Sequence, residues 1–326
     1  MLAIALACAT LGNAPWQPVP PALTAKKDAG VSAGAVVLAA PIEGMVLVKA
    51  AQLDVGADTS EQKWAIDLCR ADPLGSACKL DQFSAEGRID EVESELRISP
   101  GTVVATVGSF WIDRTEVTVA AYRRCVELRE CRAPGFDVGD PKHDRDDLPV
   151  TMVSWDDAAT FCAFVGKRLP TEDEWELAAR GTSERRFPWG MLPNAKLCNH
   201  GVLDAGATIV PMDVTYAHPG RILLGAPDDV DGFIGLAPVG SFPEGGTPDG
   251  ILDLAGNAAE WVDDVWTEAH VAGGVTINGA SPMRALHVVR GGSYRQPMAM
   301  VRGASRAPRL ASTRDPDVGF RCAKDG

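Results

Sequence analysis

Asp253-Leu-Ala-Gly-Asn-Ala-Ala-Glu-Trp261 is the stretch on which the reading of this 326-residue chain turns. It brings together two carboxylates, a side-chain amide and several main-chain carbonyls within one short segment. Hard cations such as calcium take about six to eight oxygens of this kind. The same residues also describe a corner in which Glu260 pairs with an arginine and Trp261 fills the core. Both readings stand on the spacing alone, and the neighbouring segments have to decide between them.

On the C-terminal side, seven arginines (290, 295, 302, 306, 309, 314 and 321) face only Asp315 and Asp317. In a chain of formal net charge -13 this is a local reversal. Either these arginines pair with buried acids such as Glu260 or Asp263, or they form a groove for an extended peptide or anion through forked guanidinium contacts. On the groove reading, Arg290, Ser293, Tyr294 and Arg302 line it. The overall negative charge argues against general nucleic-acid binding, which needs a basic face.

On the N-terminal side the helix signals are clear. Thr118 caps a run with Val119, Tyr122 and Val126 on one face. Ser154 with Asp157, and Thr171 with Glu174, form two capping boxes, and Gly166 and Gly181 stand where those helices end. Thr102–Asp113 reads as strand, and Gly44–Ala50 opens the folded domain with a short β-rich run. Beyond residue 181 helical periodicity fades, leaving short strand-like pieces at Leu236–Phe242 and Val288–Tyr294. An α+β fold follows, with its helices in the first half and few regular elements in the second. Long irregular loops of this kind call for bracing by metal or disulfide.

Residues 1–10 read as the remnant of a secretory or lipoprotein leader ending at Cys8, and 11–40 as a Pro/Ala-rich linker. The domain then runs over 41–326 with an insertion at about 54–98. The chain has eight cysteines and no C-x-x-C. Cys69 with Cys78, and Cys125 with Cys131, are spaced for local disulfides in an exported protein. The expected setting is extracytoplasmic, as a monomer, with membrane contact only through a lipid on Cys8. No P-loop, dinucleotide fingerprint or G-x-S-x-G elbow is present.

Six segments appear in order: Pro149–Asp157, Gly166–Glu176, Phe187-Pro-Trp-Gly190, Asp253–Trp261, Val289–Tyr294 and Gly319-Phe-Arg-Cys322. Together they resemble the sulfatase-modifying-factor family, the domain of formylglycine-generating enzymes. The resemblance implies a variant of the C-type lectin fold low in regular secondary structure, and a disulfide between Cys162 and Cys322. It also implies two calcium sites. One would use Asp253 and Glu260 with the carbonyls of Gly256 and Ala258; the other would use Asn199 and Asp231 with the carbonyls of His200 and Phe233.

The family's enzymes oxidise a cysteine of a substrate protein, within a Cys-x-Pro-x-Arg sequence, through two active-site thiols that hold copper. Those thiols follow the Gly-Gly-Ser-Tyr turn. Here Gln296 stands where the first is expected and Met300 or Val301 where the second would be, and Ala259 replaces a tryptophan common in the family. Copper is therefore not expected. Iron is not expected either, because the five histidines lack i, i+4 pairing and no two-histidine, one-carboxylate run exists. The sequence points to a calcium-binding member with altered or lost catalysis that binds a peptide or protein. The alternative is an active oxidase acting on a protein such as a sulfatase.

Overall fold

The computed structural model describes residues 42–71, 101–202, 229–267 and 285–326, and the backbone of short strands at 208–211, 221–224 and 226–227. The leader, the linker, Cys8, Cys78 and most of the 201–230 loop lie outside the described residues. Residues 40–326 form one compact unit.

The strands in chain order are β1 (Met45–Val48), β2 (Ala51–Ala57), β3 (Gly101–Val107), β4 (Phe110–Asp113), β5 (Gly201–Val202), β6 (Thr208–Pro211), β7 (Arg221–Leu224), β8 (Ala226–Pro227), β9 (Ala259–Val265), β10 (Leu286–Arg290), β11 (Arg306–Leu310), β12 (Val318–Phe320) and β13 (Ala323–Asp325). The helices are α1 (Thr59–Ala71), α2 (Val119–Glu127), α3 (Trp155–Phe164) and α4 (Glu172–Arg180). Among the described residues all α-helices precede Gly181: α2, α3 and α4 stand where the patterning placed them, while α1 lies in the stretch read as an insertion and was not expected. The run 102–113 is two strands rather than one. Leu236–Phe242 is irregular, and the strand begun at Val288 ends at Arg290 because Gly291 and Gly292 both take positive φ.

One sheet has the order β11-β10-β9-β12, antiparallel except that β12 runs parallel to β9. A second, β1-β4-β13, brings the start of the domain against its C-terminus. β2 and β3 pair from Ala51↔Val107 to Ala57↔Gly101, so the insertion leaves and re-enters at the open end of a closed hairpin. The helix starts form as their side chains dictate: Thr118, Ser154 and Thr171 each accept the N3 backbone N–H, and the last two complete capping boxes. Each such cap contributes about 1 kcal/mol.

Two tryptophans lock α3 to β9. Trp155 Nε1 donates to the Val262 carbonyl at 2.8 Å, and Trp261 Nε1 donates to the Val153 carbonyl at 3.0 Å. Each ring is thus buried with its one polar atom satisfied. Around them pack Tyr122, Phe161, Val318 and Phe320. The Cys162–Cys322 disulfide joins α3 to the C-terminal strands through the same core, and Cys125–Cys131 closes the end of α2. A bridge spanning 160 residues contributes about 5 kcal/mol in a chain-entropy account. Cys69 is also disulfide-bonded, and its expected partner Cys78 lies outside the described residues.

Candidate functional site

The Asp253–Trp261 segment folds as a tight corner running into β9, and it resolves into two halves. Glu260 enters the sheet in register with Arg290 and Gly319. Both of its oxygens are taken by the Arg321 fork at 2.7 Å, and Oε2 also accepts from Trp175 Nε1 at 2.8 Å. Burial works against the Arg321 charge, but Glu260, with Glu116 and Asp253 behind it, together raise the arginine pKa. Of the two readings left open for this stretch, the arginine-paired corner with Trp261 in the core describes Glu260. In this structure a bidentate guanidinium occupies both of its oxygens.

The other half is different. Asp253 and Asn257 both take positive φ, which their short polar side chains tolerate. Gly256 is required between them, since a Cβ there would lie 1.9 Å from the Asn199 carbonyl oxygen. Asn257 is the hub. Its Nδ2 donates to Glu116 Oε1 at 3.0 Å, and its Oδ1 accepts from Asn199 Nδ2 and Ala237 N, both at 2.9 Å. Its main-chain N–H reaches the Asn199 carbonyl, and its own carbonyl accepts from Tyr294 N. Residues assigned by resemblance to two separate cation sites therefore meet through one asparagine.

Glu116, which the sequence reading passed over, is buried in this knot beside Asp253. Its Oε2 is buried with no hydrogen-bond partner. Burial, with the Asp253 charge next, pushes its pKa well above the usual carboxylate range. Burial likewise raises Asp253, against the pull of the Gly240 N–H that donates to its Oδ2 at 2.6 Å. Three carboxylates (Glu116, Asp253, Glu260) here share one guanidinium, Arg321. Asn199 Oδ1 is a second buried oxygen without a partner. Asp231, by contrast, caps its own turn: Oδ2 accepts from His200 N at 2.8 Å and Oδ1 from Phe233 N at 2.9 Å. Among the described residues no three His, Cys, Asp or Glu side chains converge to hold a metal by themselves, so a cation here would lean on amide and main-chain oxygens as well.

The arginine groove is corrected. Arg290 is 1% exposed and binds Glu172 and Glu176, at 3.0 and 2.6 Å. Arg302 is 3% exposed and binds Glu61 at 2.8 Å. Arg306, Arg309, Arg314 and Arg321 pair with Glu172, Asp315, Asp157 and Glu260. Ser293 is fully buried, its hydroxyl donating to Asp317 Oδ2 at 2.8 Å. Tyr294 is half-buried, and burial pushes its phenol up to about 12. The pairing reading holds for six of the seven arginines: 290, 302, 306, 309, 314 and 321.

The turn after Gly291-Gly292 is filled. Gln296 Oε1 accepts from Ser293 N at 3.1 Å, while its Nε2 lies 4.0 Å from Met300 Sδ. Met298, Met300 and Val301 are buried. Cys198 shares a buried cluster with Met298, Val301, Phe187 and Ala255, so the fold returns one thiol to this region from far away in sequence.

Fold and site together define an α+β domain of mostly irregular structure, braced by disulfides and buried ion pairs around a polar corner. A family model for the sulfatase-modifying factor enzyme 1-like domain matches residues 38–326, and the chain belongs to that family. A formylglycine-generating enzyme from Thermomonospora curvata is 33% identical over 249 residues, 70% of this chain and 69% of its own length. The bovine formylglycine-generating enzyme is 38% identical over 186 residues, 56% of this chain and 45% of its own, so the chain spans about half the length of that relative. A mouse protein described as an inactive Cα-formylglycine-generating enzyme 2 is 33% identical over 185 residues, covering 54% of this chain and 49% of its own. PvdO from Pseudomonas aeruginosa shares the fold, with a TM-score of 0.56 at 20% identity over 86% of this chain and 94% of that one.

Proposed function

We propose that this chain is an exported, calcium-braced, monomeric member of the family that has lost the oxidase chemistry and binds a peptide or protein ligand. The filled, thiol-free turn at Gln296–Val301 carries the reading. Cu(I) selects soft thiolate ligands, whereas this turn supplies an amide, two thioethers and a valine, with Cys198 the one thiol in the neighbouring cluster. The donor set does not fit the copper pair that the resemblance implies. Disulfides at Cys125–Cys131 and Cys162–Cys322 support an oxidising compartment. No helix among the described residues is long and apolar enough to cross a membrane.

Calcium fits the other half of the site. Glu116 and Asp253 present oxygens to a buried place where carboxyl groups outnumber guanidiniums, and Asn199 joins it through the hydrogen bond from its Nδ2 to Asn257 Oδ1. A divalent ion would neutralise that excess and tie the 229–258 loop to β9. The test of lost catalysis is incubation with copper and a Cys-x-Pro-x-Arg peptide, followed by mass spectrometry. The peptide cysteine is expected to stay intact. Its conversion to formylglycine above the protein-free control would establish an active oxidase instead.

A further inference from the structure

Helix α1 is an excursion. β2 and β3 pair completely without it, yet it returns to pack on the 3-10 turn Met298–Met300, the heart of the region just described. Its inner face is Glu61, Ala65, Ile66 and Cys69, with Trp64 and Leu68 at the margin. Asp58 caps its start, accepting the Glu61 N–H at 2.7 Å, and Cys69 near its end is disulfide-bonded. Two side chains make the specific contacts. Glu61 bridges Arg302, at 2.8 Å, and Arg180, at 3.1 Å. Trp64 stands edge-on to Phe187, with the Arg186 guanidinium 4.3 Å from its ring centre. Trp64 and Leu68 roof the cluster that contains Cys198, Met298 and Val301.

We propose that α1 is a built-in strap, an intramolecular ligand seated over the Gln296–Arg302 turn, and that an incoming segment binds there by replacing it. The contacts define that segment's chemistry. It must bring a carboxylate to Arg302 and, three residues on in a helix, an aromatic ring to Phe187 and Arg186, as Glu61 and Trp64 do. Arg302 sets the resting state, since lifting Glu61 away leaves a buried guanidinium with only the Ala299 carbonyl. The strap is thus closed by default and opens locally, without loss of the sheets. A tethered helix also competes at high effective concentration, so a free ligand needs a close match to displace it. The proposal rests on the reading of this chain as a peptide- or protein-binding member of the family, and adds where that ligand would sit.

Cys198 supplies the test, as a thiol under the strap. Native-state alkylation of the full chain, read by mass spectrometry, is compared for the wild type, Glu61→Gln and Trp64→Ala. Each variant is expected to label about tenfold faster or more while keeping its cooperative unfolding transition. A peptide of residues 58–71 with serine in place of Cys69 should restore protection in Trp64→Ala, and a scrambled peptide should not. Labelling of both variants at the wild-type rate would overturn the strap, as would labelling that follows only global unfolding. Loss of cooperative folding in both would also overturn it, because a strap must be dispensable to the fold. Failure of the peptide to protect would overturn the displacement step. The copper assay reads a different event, so the strap and the assignment of lost catalysis can fail separately.

Discussion

Two buried charged clusters meet at Trp175 and differ in one respect. On one side Arg302, Glu61, Arg180, Glu176, Arg290, Glu172 and Arg306 alternate in sign, each bonded to the next. On the other, among the described residues, Glu116, Asp253 and Glu260 share Arg321 alone, and Glu116 Oε2 has no hydrogen-bond partner. The indole touches both: Arg290 lies 5.3 Å from its ring centre, and its N–H donates to Glu260. Where buried charge is matched it holds α4 and β10 in place and, through Glu61, seats α1 as the resting strap. Where it is in excess, the fold has left room for a proton or a cation.

The same chemical change should therefore act in opposite directions on the two sides. Glu176→Gln leaves Arg180 and Arg290 buried beside a neutral amide. It is expected to destabilise the protein by about 3–5 kcal/mol in urea unfolding. Glu116→Gln removes a repelled carboxylate and offers Asp253 a donor. With calcium chelated at pH 8 it is expected to be neutral or to stabilise by on the order of 1 kcal/mol. A large loss from Glu116→Gln in chelator would erase the distinction between the clusters.

Calcium sharpens it. Saturating calcium is expected to raise the melting temperature of the wild type, by about 2–3 kcal/mol of stability at a hundred times the dissociation constant. Glu116→Gln and Asp253→Asn should lose most of that gain. The effect should also grow with pH. Glu116 and Asp253 have raised folded-state pKa values, so without metal the folded chain holds protons that the unfolded chain has released, and its stability falls as pH rises. Bound calcium replaces those protons and removes that loss. A calcium shift as large at pH 5 as at pH 8 would count against these carboxylates as its ligands.

What the sequence disclosed and what it withheld follow from distance along the chain. Thr118, Ser154–Asp157 and Thr171–Glu174 were readable because a cap satisfies N–H groups within three residues of itself. The six ordered motifs carried the fold. Arg290 and Arg302 looked available because their carboxylate partners lie 118, 114 and 241 residues away. Glu116 went unnoticed for the same reason, being 141 residues from Asn257. Helix α1 carried a signal that was not used: Asp58 ahead of Glu61, then Trp64, Ala65 and Leu68 at helical spacing. The reading of 54–98 as an insertion passes over it. Glu260 was the divided case, and only the Arg321 fork separates its two readings.

The weakest expected effect lies beside the matched cluster, at His287 and Asp264, and it tests whether excess charge is confined to the corner. Burial lowers His287 to about 4 and raises Asp264 to about 7. His287 stacks on Trp155 at 4.2 Å between centroids, and Asp264 Oδ2 accepts the Glu172 N–H. For the histidine the unfolded chain binds the extra proton, so stability is lost as pH falls from about 6.5 to 4. For the aspartate the folded chain binds it, so stability is lost as pH rises from about 4 to 7. Between about pH 4 and 6.5 the two slopes cancel and should leave a plateau, with a fall only as pH rises from about 6.5 to 7, read as melting temperature against pH in chelator. His287→Gln should unmask the fall due to Asp264 across that range, and Asp264→Asn should unmask the rise due to His287, each by a few degrees. If Asp264→Asn instead abolished the calcium dependence, the surplus charge would extend past Trp175 and the boundary between the clusters would have to be redrawn.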